Sequence, residues 1–100
     1  MNYRLLIDEA DALPFITNLP AKSRRIILEK LLSLEKDLFP GAGGDKELIK
    51  APKSRSEEKV YRLHIAHSFT VFYRIERLNK TVFITEILTI EQAHKKYDRL

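Results

Sequence analysis

A chain of 100 residues, 44% hydrophobic and 32% charged, is sized for one domain around one core. It has no cysteine, which excludes a disulfide scaffold, a thiolate metal site and a cysteine nucleophile. Its apolar runs are too short to cross a membrane, and Met1–Asp8 lacks the apolar stretch of a signal peptide. A cytoplasmic location is the expectation, with no membrane partner.

The formal net charge is +4 and the pI is near 9.4. Residues 1–40 balance six basic side chains (Arg4, Lys22, Arg24, Arg25, Lys30, Lys36) against six acidic ones (Asp8, Glu9, Asp11, Glu29, Glu35, Asp37). The whole excess therefore lies in residues 41–100, a distribution that attracts phosphate.

Tyr3–Ile7 is an apolar run of strand formers. An acidic stretch follows, suited to a helix start, and the spacing predicts a helix from about Asp11 to Leu19 on a stripe of Ala10, Leu13, Ile16 and Leu19. Pro14 is tolerable there only in a first turn. After Pro20, Ile27, Leu31, Leu34 and Leu38 mark a helix over Ala21–Leu38, with Leu28 and Leu32 widening the apolar face and Arg25–Glu29 spaced for an ion pair. So short a joint predicts an antiparallel helix hairpin. Phe39–Gly44 ends the second helix. Gly41-Ala42-Gly43-Gly44 has no following Gly-Lys-Ser/Thr, so it is not a phosphate loop.

Glu47–Ala51 reads as a short strand, followed by a mobile basic loop with Lys53, Arg55 and Lys59. From Val60 the hydrophobic period becomes two. Tyr61, Leu63 and Ile65 alternate with Arg62 and His64. Phe69, Val71, Tyr73 and Ile75 alternate with Thr70, Phe72 and Arg74. Val82, Ile84, Glu86 and Leu88 alternate with Phe83, Thr85 and Ile87. This is a three-strand meander with turns near His67-Ser68 and Leu78-Asn79-Lys80, and Tyr61 and Tyr73 fall on its core side. Thr89 and Gln92 are spaced as a capping box for a short helix over Glu91–Tyr97. The fold class is α+β: an N-terminal strand, a two-helix hairpin, and a three- to four-strand, mainly antiparallel sheet with helices on one face.

Three segments resemble the RelE/ParE family of toxins from type II toxin–antitoxin systems. Tyr3–Ile7 with Asn18-Leu19-Pro20 is similar to that family's first strand and interhelical joint. Val60–Ile65 with Phe69–Ile75 is similar to its "YRLRIGDYRVIYEI" hairpin, and Val82–Ile84 through His94 and Tyr97 to its last strand and tail. The resemblance spans nearly the whole chain as one domain, residues 1–100. It implies a ribosome-dependent messenger-RNA endonuclease, without a metal or other cofactor, neutralised by a cognate antitoxin. Two departures matter. Thr70 stands where the hairpin pattern has arginine, and Ile90–Lys96 lacks the family's "HRR". A non-enzymatic inhibitor of DNA gyrase, as in the ParE branch, and a decayed member that only binds an antitoxin therefore stay open.

RNA cleavage by 2′-hydroxyl attack needs a base, a stabiliser of the phosphorane and an acid for the leaving oxygen. Arg62 is the expected phosphate clamp, and His64 or His94 the titrating group. Tyr97 is expected to stack on a base or position the phosphate. With Arg62, these are the four candidate catalytic residues. Lys53, Arg55, Lys59, Thr70, Lys95 and Lys96 are the expected RNA contacts. Phe72 and Phe83 are expected to be exposed and to line a groove for an antitoxin helix.

Overall fold

The computed structural model describes residues 3–41, 44–49 and 59–97, with Tyr97 described by its backbone. The order is β1 (Arg4–Ile7), α1 (Ala12–Thr17), α2 (Ala21–Ser33), β2 (Lys46–Ile49), β3 (Val60–Ile65), β4 (Phe69–Glu76), β5 (Thr81–Thr89) and α3 (Ile90–Tyr97). All the strands join in one five-stranded sheet of order β1-β5-β4-β3-β2. The sheet is one strand wider than expected because β1 returns as a parallel edge beside β5, while every other pairing is antiparallel.

α1 begins at Ala12, so Pro14 sits in the first turn, where a missing N–H breaks no helical bond. The carboxylate of Asp8 accepts from Asp11 N–H at 2.7 Å, and its carbonyl accepts from Leu13 N–H at 2.8 Å. That start turns Ala12 and Ile16 inward and leaves Leu13, expected on the inner stripe, facing solvent.

α2 stops at Ser33 rather than Leu38. The chain leaves it through tighter turns, with Leu34 N–H donating to Leu31 O at 3.0 Å and Glu35 N–H to Leu32 O at 3.1 Å, and the segment beyond is anchored by Tyr3 N–H donating to Glu35 O at 2.9 Å and Tyr73 Oη–H donating to Leu38 O at 2.8 Å. Leu34 and Leu38 still reach the core with Ile27 and Leu31. Leu28 and Leu32 do not; they sit on the flank of the helix, and Leu32 is 55% exposed. The Arg25–Glu29 ion pair expected from spacing does not form among the described residues.

Against the helix pair the sheet presents Tyr61, Leu63, Ile65, Val71, Tyr73, Val82, Ile84 and Ile87. Tyr61 and Tyr73 stack with centroids 5.4 Å apart, as core residues. The register between β4 and β5 shifts at Phe72/Tyr73, leaving Thr85 as the extra residue; its hydroxyl donates to Phe72 O at 3.1 Å. The bulge overturns the strict alternation read from the sequence. Beyond it Ile87 faces the core, and Glu86 turns to the opposite face.

That opposite face is not left open, and the helices do not all lie on one side. α3 packs on β4 and β5 there, with Ala93 buried. Its start is the expected capping box: Gln92 N–H donates to Thr89 Oγ1 at 3.1 Å and Thr89 N–H to Gln92 Oε1 at 3.0 Å. Phe72, expected to be exposed, is 2% exposed beneath this layer.

Tyr73→Phe deletes the donor to the buried Leu38 carbonyl and should cost about 1–3 kcal/mol, read by urea unfolding at neutral pH. Burial, with smaller contributions from Tyr61, Asp45 and Asp37, raises the Tyr73 hydroxyl above its ordinary 10.0. The folded state thus keeps a proton that the unfolded chain releases. The stability this gives is complete below pH 10 and declines above it. That alkaline decline should shrink in Tyr73→Phe.

Candidate functional site

On the open part of the outer sheet face, strand register aligns Glu47 of β2 directly opposite Arg62 of β3, and His64 directly opposite Thr70 of β4. Arg62 Nε–H donates to Glu47 Oε1 at 2.7 Å, and its Nη2 donates to the same oxygen. His64 Nε2 lies 3.2 Å from that oxygen. One carboxylate oxygen therefore gathers a guanidinium and an imidazole, all three side chains partly open to solvent. The hydrogen bond from Arg62 is the largest cause of a Glu47 carboxyl held below its ordinary range; burial opposes it, and His64 adds to it. Glu47 is ionised at neutral pH and placed to accept a proton.

Sequence reading brought Arg62 and His64 to one face but missed Glu47. The signal was present: in Lys46-Glu47-Leu48-Ile49 the side chains alternate, and Glu47 is the outward carboxylate. Its partner was not legible, because the register of β2 on β3 is a long-range fact.

The other expected residues divide. Thr70 lies across from His64 as expected, but at 1% exposure it cannot reach RNA from where it sits. His94 is exposed on α3 and makes no hydrogen bond to Arg62, His64 or Glu47. Lys96 donates to Glu86 Oε2 at 2.6 Å and ties α3 to β5, whereas Lys95 is 3.9 Å from Glu91 on its own helix. Lys59 is exposed just before β3. Lys53, Arg55 and the Tyr97 side chain lie outside the described residues. Among the described residues, no cluster of three His, Cys, Asp or Glu side chains is placed to hold a metal ion. No helix among them is long and apolar enough to cross a membrane.

Beside the trio a cleft of about 810 Å³ opens between α2 and the β3–β4 turn, lined by Ile26, Glu29, Lys30, Asp45, His64 and His67 among others. Its wall is pinned by Asp45, which binds Lys30 at 2.9 Å and Lys46 at 3.1 Å.

The architecture has clear counterparts. It superposes on a chain of the archaeal RelE–RelB complex from Pyrococcus horikoshii with a TM-score of 0.71 at 21% identity, covering 89% of this chain and 96% of that one. The fold is that of RelE. A chain of the RelBE2 toxin–antitoxin complex of Mycobacterium tuberculosis matches with a TM-score of 0.70 at 12% identity, over 89% of this chain and 99% of that one. An E. coli RelE variant in the free state matches with a TM-score of 0.54 at 18% identity, over 98% and 93%. Neither a protein-family model nor a curated protein sequence matches the chain. The RelE fold accounts for the parallel edge strand and for the sheet on which Glu47, Arg62 and His64 meet.

Asp45 gives a direct test of the cleft wall. Its carboxyl is lowered from 3.8 to about 2, chiefly by the Lys30 hydrogen bond; burial opposes the shift and Lys46 adds to it. The stability it contributes is present above pH 3.8 and is lost as the pH falls toward 2. Lys30→Met should move the Asp45 titration midpoint upward, read by carboxyl carbon NMR. An unchanged midpoint would assign the acidity to Lys46 alone.

Proposed function

We propose that this chain is the toxin of a toxin–antitoxin pair and that it cleaves messenger RNA on the ribosome, in the cytoplasm, by acid–base chemistry of Glu47, Arg62 and His64. The observation that carries the reading is the shared Glu47 oxygen, which brings a base, a phosphate clamp and an acid within hydrogen-bond reach on an accessible face. The RelE fold of the neighbours, two of them solved as complexes with an antitoxin, supports an antitoxin as the controlling partner. The basic excess in residues 41–100 supports an RNA substrate.

In this mechanism the Glu47 carboxylate takes the 2′-hydroxyl proton. The 2′-oxygen forms a bond to phosphorus, and the bond from phosphorus to the 5′-oxygen breaks. Protonated His64 supplies the proton to that leaving oxygen. The products are a 2′,3′-cyclic phosphate and a 5′-hydroxyl end. Arg62 stabilises the charge on the pentacoordinate phosphorus. Its engagement also activates the base. A phosphate that draws Arg62 away removes the largest influence holding Glu47 acidic, so Glu47 becomes more basic as substrate binds. His64 fits the acid role better than His94, because it already contacts the carboxylate. Arg62 acts as the one clamp of the trio, since the position of the family's second arginine is the buried Thr70.

Glu47→Gln, Arg62→Ala and His64→Gln should each slow cleavage on programmed ribosomes by at least about 10²-fold. Glu47→Gln should abolish the acidic limb of the pH–rate profile and His64→Gln the basic limb, while His94→Gln leaves both. Toxicity that survives all three substitutions without cleavage would transfer the function to protein-binding inhibition, with DNA gyrase the first target to assay. Absence of both toxicity and cleavage in the unmutated chain would leave only antitoxin binding.

A further inference from the structure

The outer sheet face carries a further row of side chains that the cleavage chemistry does not use. Strand register lines up Leu6 of β1, Phe83 of β5, Arg74 of β4, Val60 of β3 and Ile49 of β2 across the whole sheet. Val60 and Ile49 stand two residues from Arg62 and Glu47 on the same two strands. They therefore share the trio's face, roughly 7 Å along it. Leu6 is 41% exposed, and the other four are half-buried. The Arg74 guanidinium lies over the Phe83 ring, 5.1 Å from its centroid. The ring thus steadies a planar cation within an otherwise apolar row. A small cavity of about 130 Å³, lined by Arg74, Ile75, Glu76 and Phe83, opens beside the pair.

We infer that this row is a stacking subsite for the nucleoside on the 5′ side of the cut, with Arg74 as the plane on which its base lies and Phe83 as the backing of that plane. The inference rests on the nuclease reading above and adds the path of the RNA strand. Direction follows from the roles within the trio. His64 protonates the leaving 5′-oxygen, so the nucleoside after the cut lies on the His64 side. Glu47 takes the proton of the attacking 2′-hydroxyl, so the nucleoside that carries it lies away from His64. Along β3 the order His64, Arg62, Val60 runs from the leaving side, through the phosphate, to the attacking side. The next surface that the RNA strand meets is the row of Val60 and Arg74. Single-stranded RNA is held on such surfaces by stacking on rings and on guanidinium planes. Val60 and Ile49 give the ribose an apolar floor, and Arg74 sets a positive charge near the phosphates. Every base has a π-face, so this subsite adds affinity without choosing a base.

The test uses the intact chain and dinucleotides with a single phosphate, which fixes their register on Arg62. Each has 2′-deoxyribose in its 5′ nucleoside, so none is cleaved, and adenosine as its 3′ nucleoside. NMR titration follows the Val60, Arg74 and Phe83 amides. With adenine, guanine, cytosine or uracil at the 5′ position, those amides should shift, and the four affinities should agree within about threefold. A probe with an abasic 5′ nucleoside should bind about 5-fold or more weaker. Arg74→Lys keeps the charge and loses the plane. It should weaken the base-bearing probes by the same factor and leave the abasic probe unchanged, a pattern that neither lost charge nor a disturbed fold produces. Phe83→Leu, which leaves the charge untouched, should give the same pattern. On programmed ribosomes, Arg74→Lys should raise KM by about 5-fold or more. Equal losses for base-bearing and abasic probes would overturn the subsite. So would shifts confined to other surfaces with the row protected only by a bound antitoxin, which would make it a protein groove. Cleavage by Glu47, Arg62 and His64 with no shift in the row would overturn the subsite and leave the nuclease standing. Base-dependent stacking on the row without any cleavage would do the reverse.

Discussion

The register of β2 against β3 is the constraint on which the site depends. In a strand, neighbouring side chains face opposite ways, so Glu47 can face Arg62 only if Lys46 faces in. Lys46 is 8% exposed, an unusual position for an ammonium group. It is held there by Asp37 at 3.3 Å and Asp45 at 3.1 Å. A slip of one residue would bury the Glu47 carboxylate without those partners and expose the lysine beside Arg62 and His64. The inward ion cluster thus fixes the sign of the charge on the outer face. It also makes Asp45 the common post of the register and the cleft wall, since Lys30 of α2 binds the same carboxylate.

The two sheet faces carry different tasks, and the division comes from two local devices. The extra residue Thr85 resets the alternation of β5, so one strand supplies Val82, Ile84 and Ile87 to the core and Glu86 to the other side. The capping box at Thr89 then turns the chain onto that other side, where Lys96 meets Glu86. Among the described residues, α3 packs on β4 and β5. Glu47, Arg62 and His64 lie on the same face and stay partly open to solvent. A covered half and an open half on one face give a polar trio a partly desolvated border, which strengthens its hydrogen bonds without removing access.

The trio and the cleft share His64, which contacts the Glu47 carboxylate and lines the cleft. The imidazole is fixed from one side by the Glu47 oxygen, and its own backbone N–H donates to Asp45 O at 2.8 Å. Whatever occupies the cleft therefore lies against a side chain whose position is already set from the β2 side by Asp45 and Glu47. Rigid placement of this kind is what the proposed transfer of a proton to a leaving oxygen would require.

The amino-acid sequence by itself determined the element types, the meander and most of the core. These follow from local periodicity: Ile27, Leu31, Leu34 and Leu38 recur at helical spacing, and Tyr61, Leu63 and Ile65 at strand spacing. It also placed Arg62 and His64 on one face, because alternation along a single strand is a local property. Only the tertiary structure decided what those two residues meet. Glu47 lies 15 residues from Arg62 along the chain, and its pairing is set by the register of β2 on β3, with its neighbour Lys46 buried against Asp37 and Asp45. The path of the chain beyond α2 was decided in the same way, by Tyr3 and Tyr73 binding the Glu35 and Leu38 carbonyls. So was the burial of Thr70 and Phe72, whose own strand reads as half-open until α3 folds over it. Periodicity records which way a side chain points from its own backbone. Which partner waits there depends on register, bulges and layer packing, and those are fixed by contacts between segments distant in sequence.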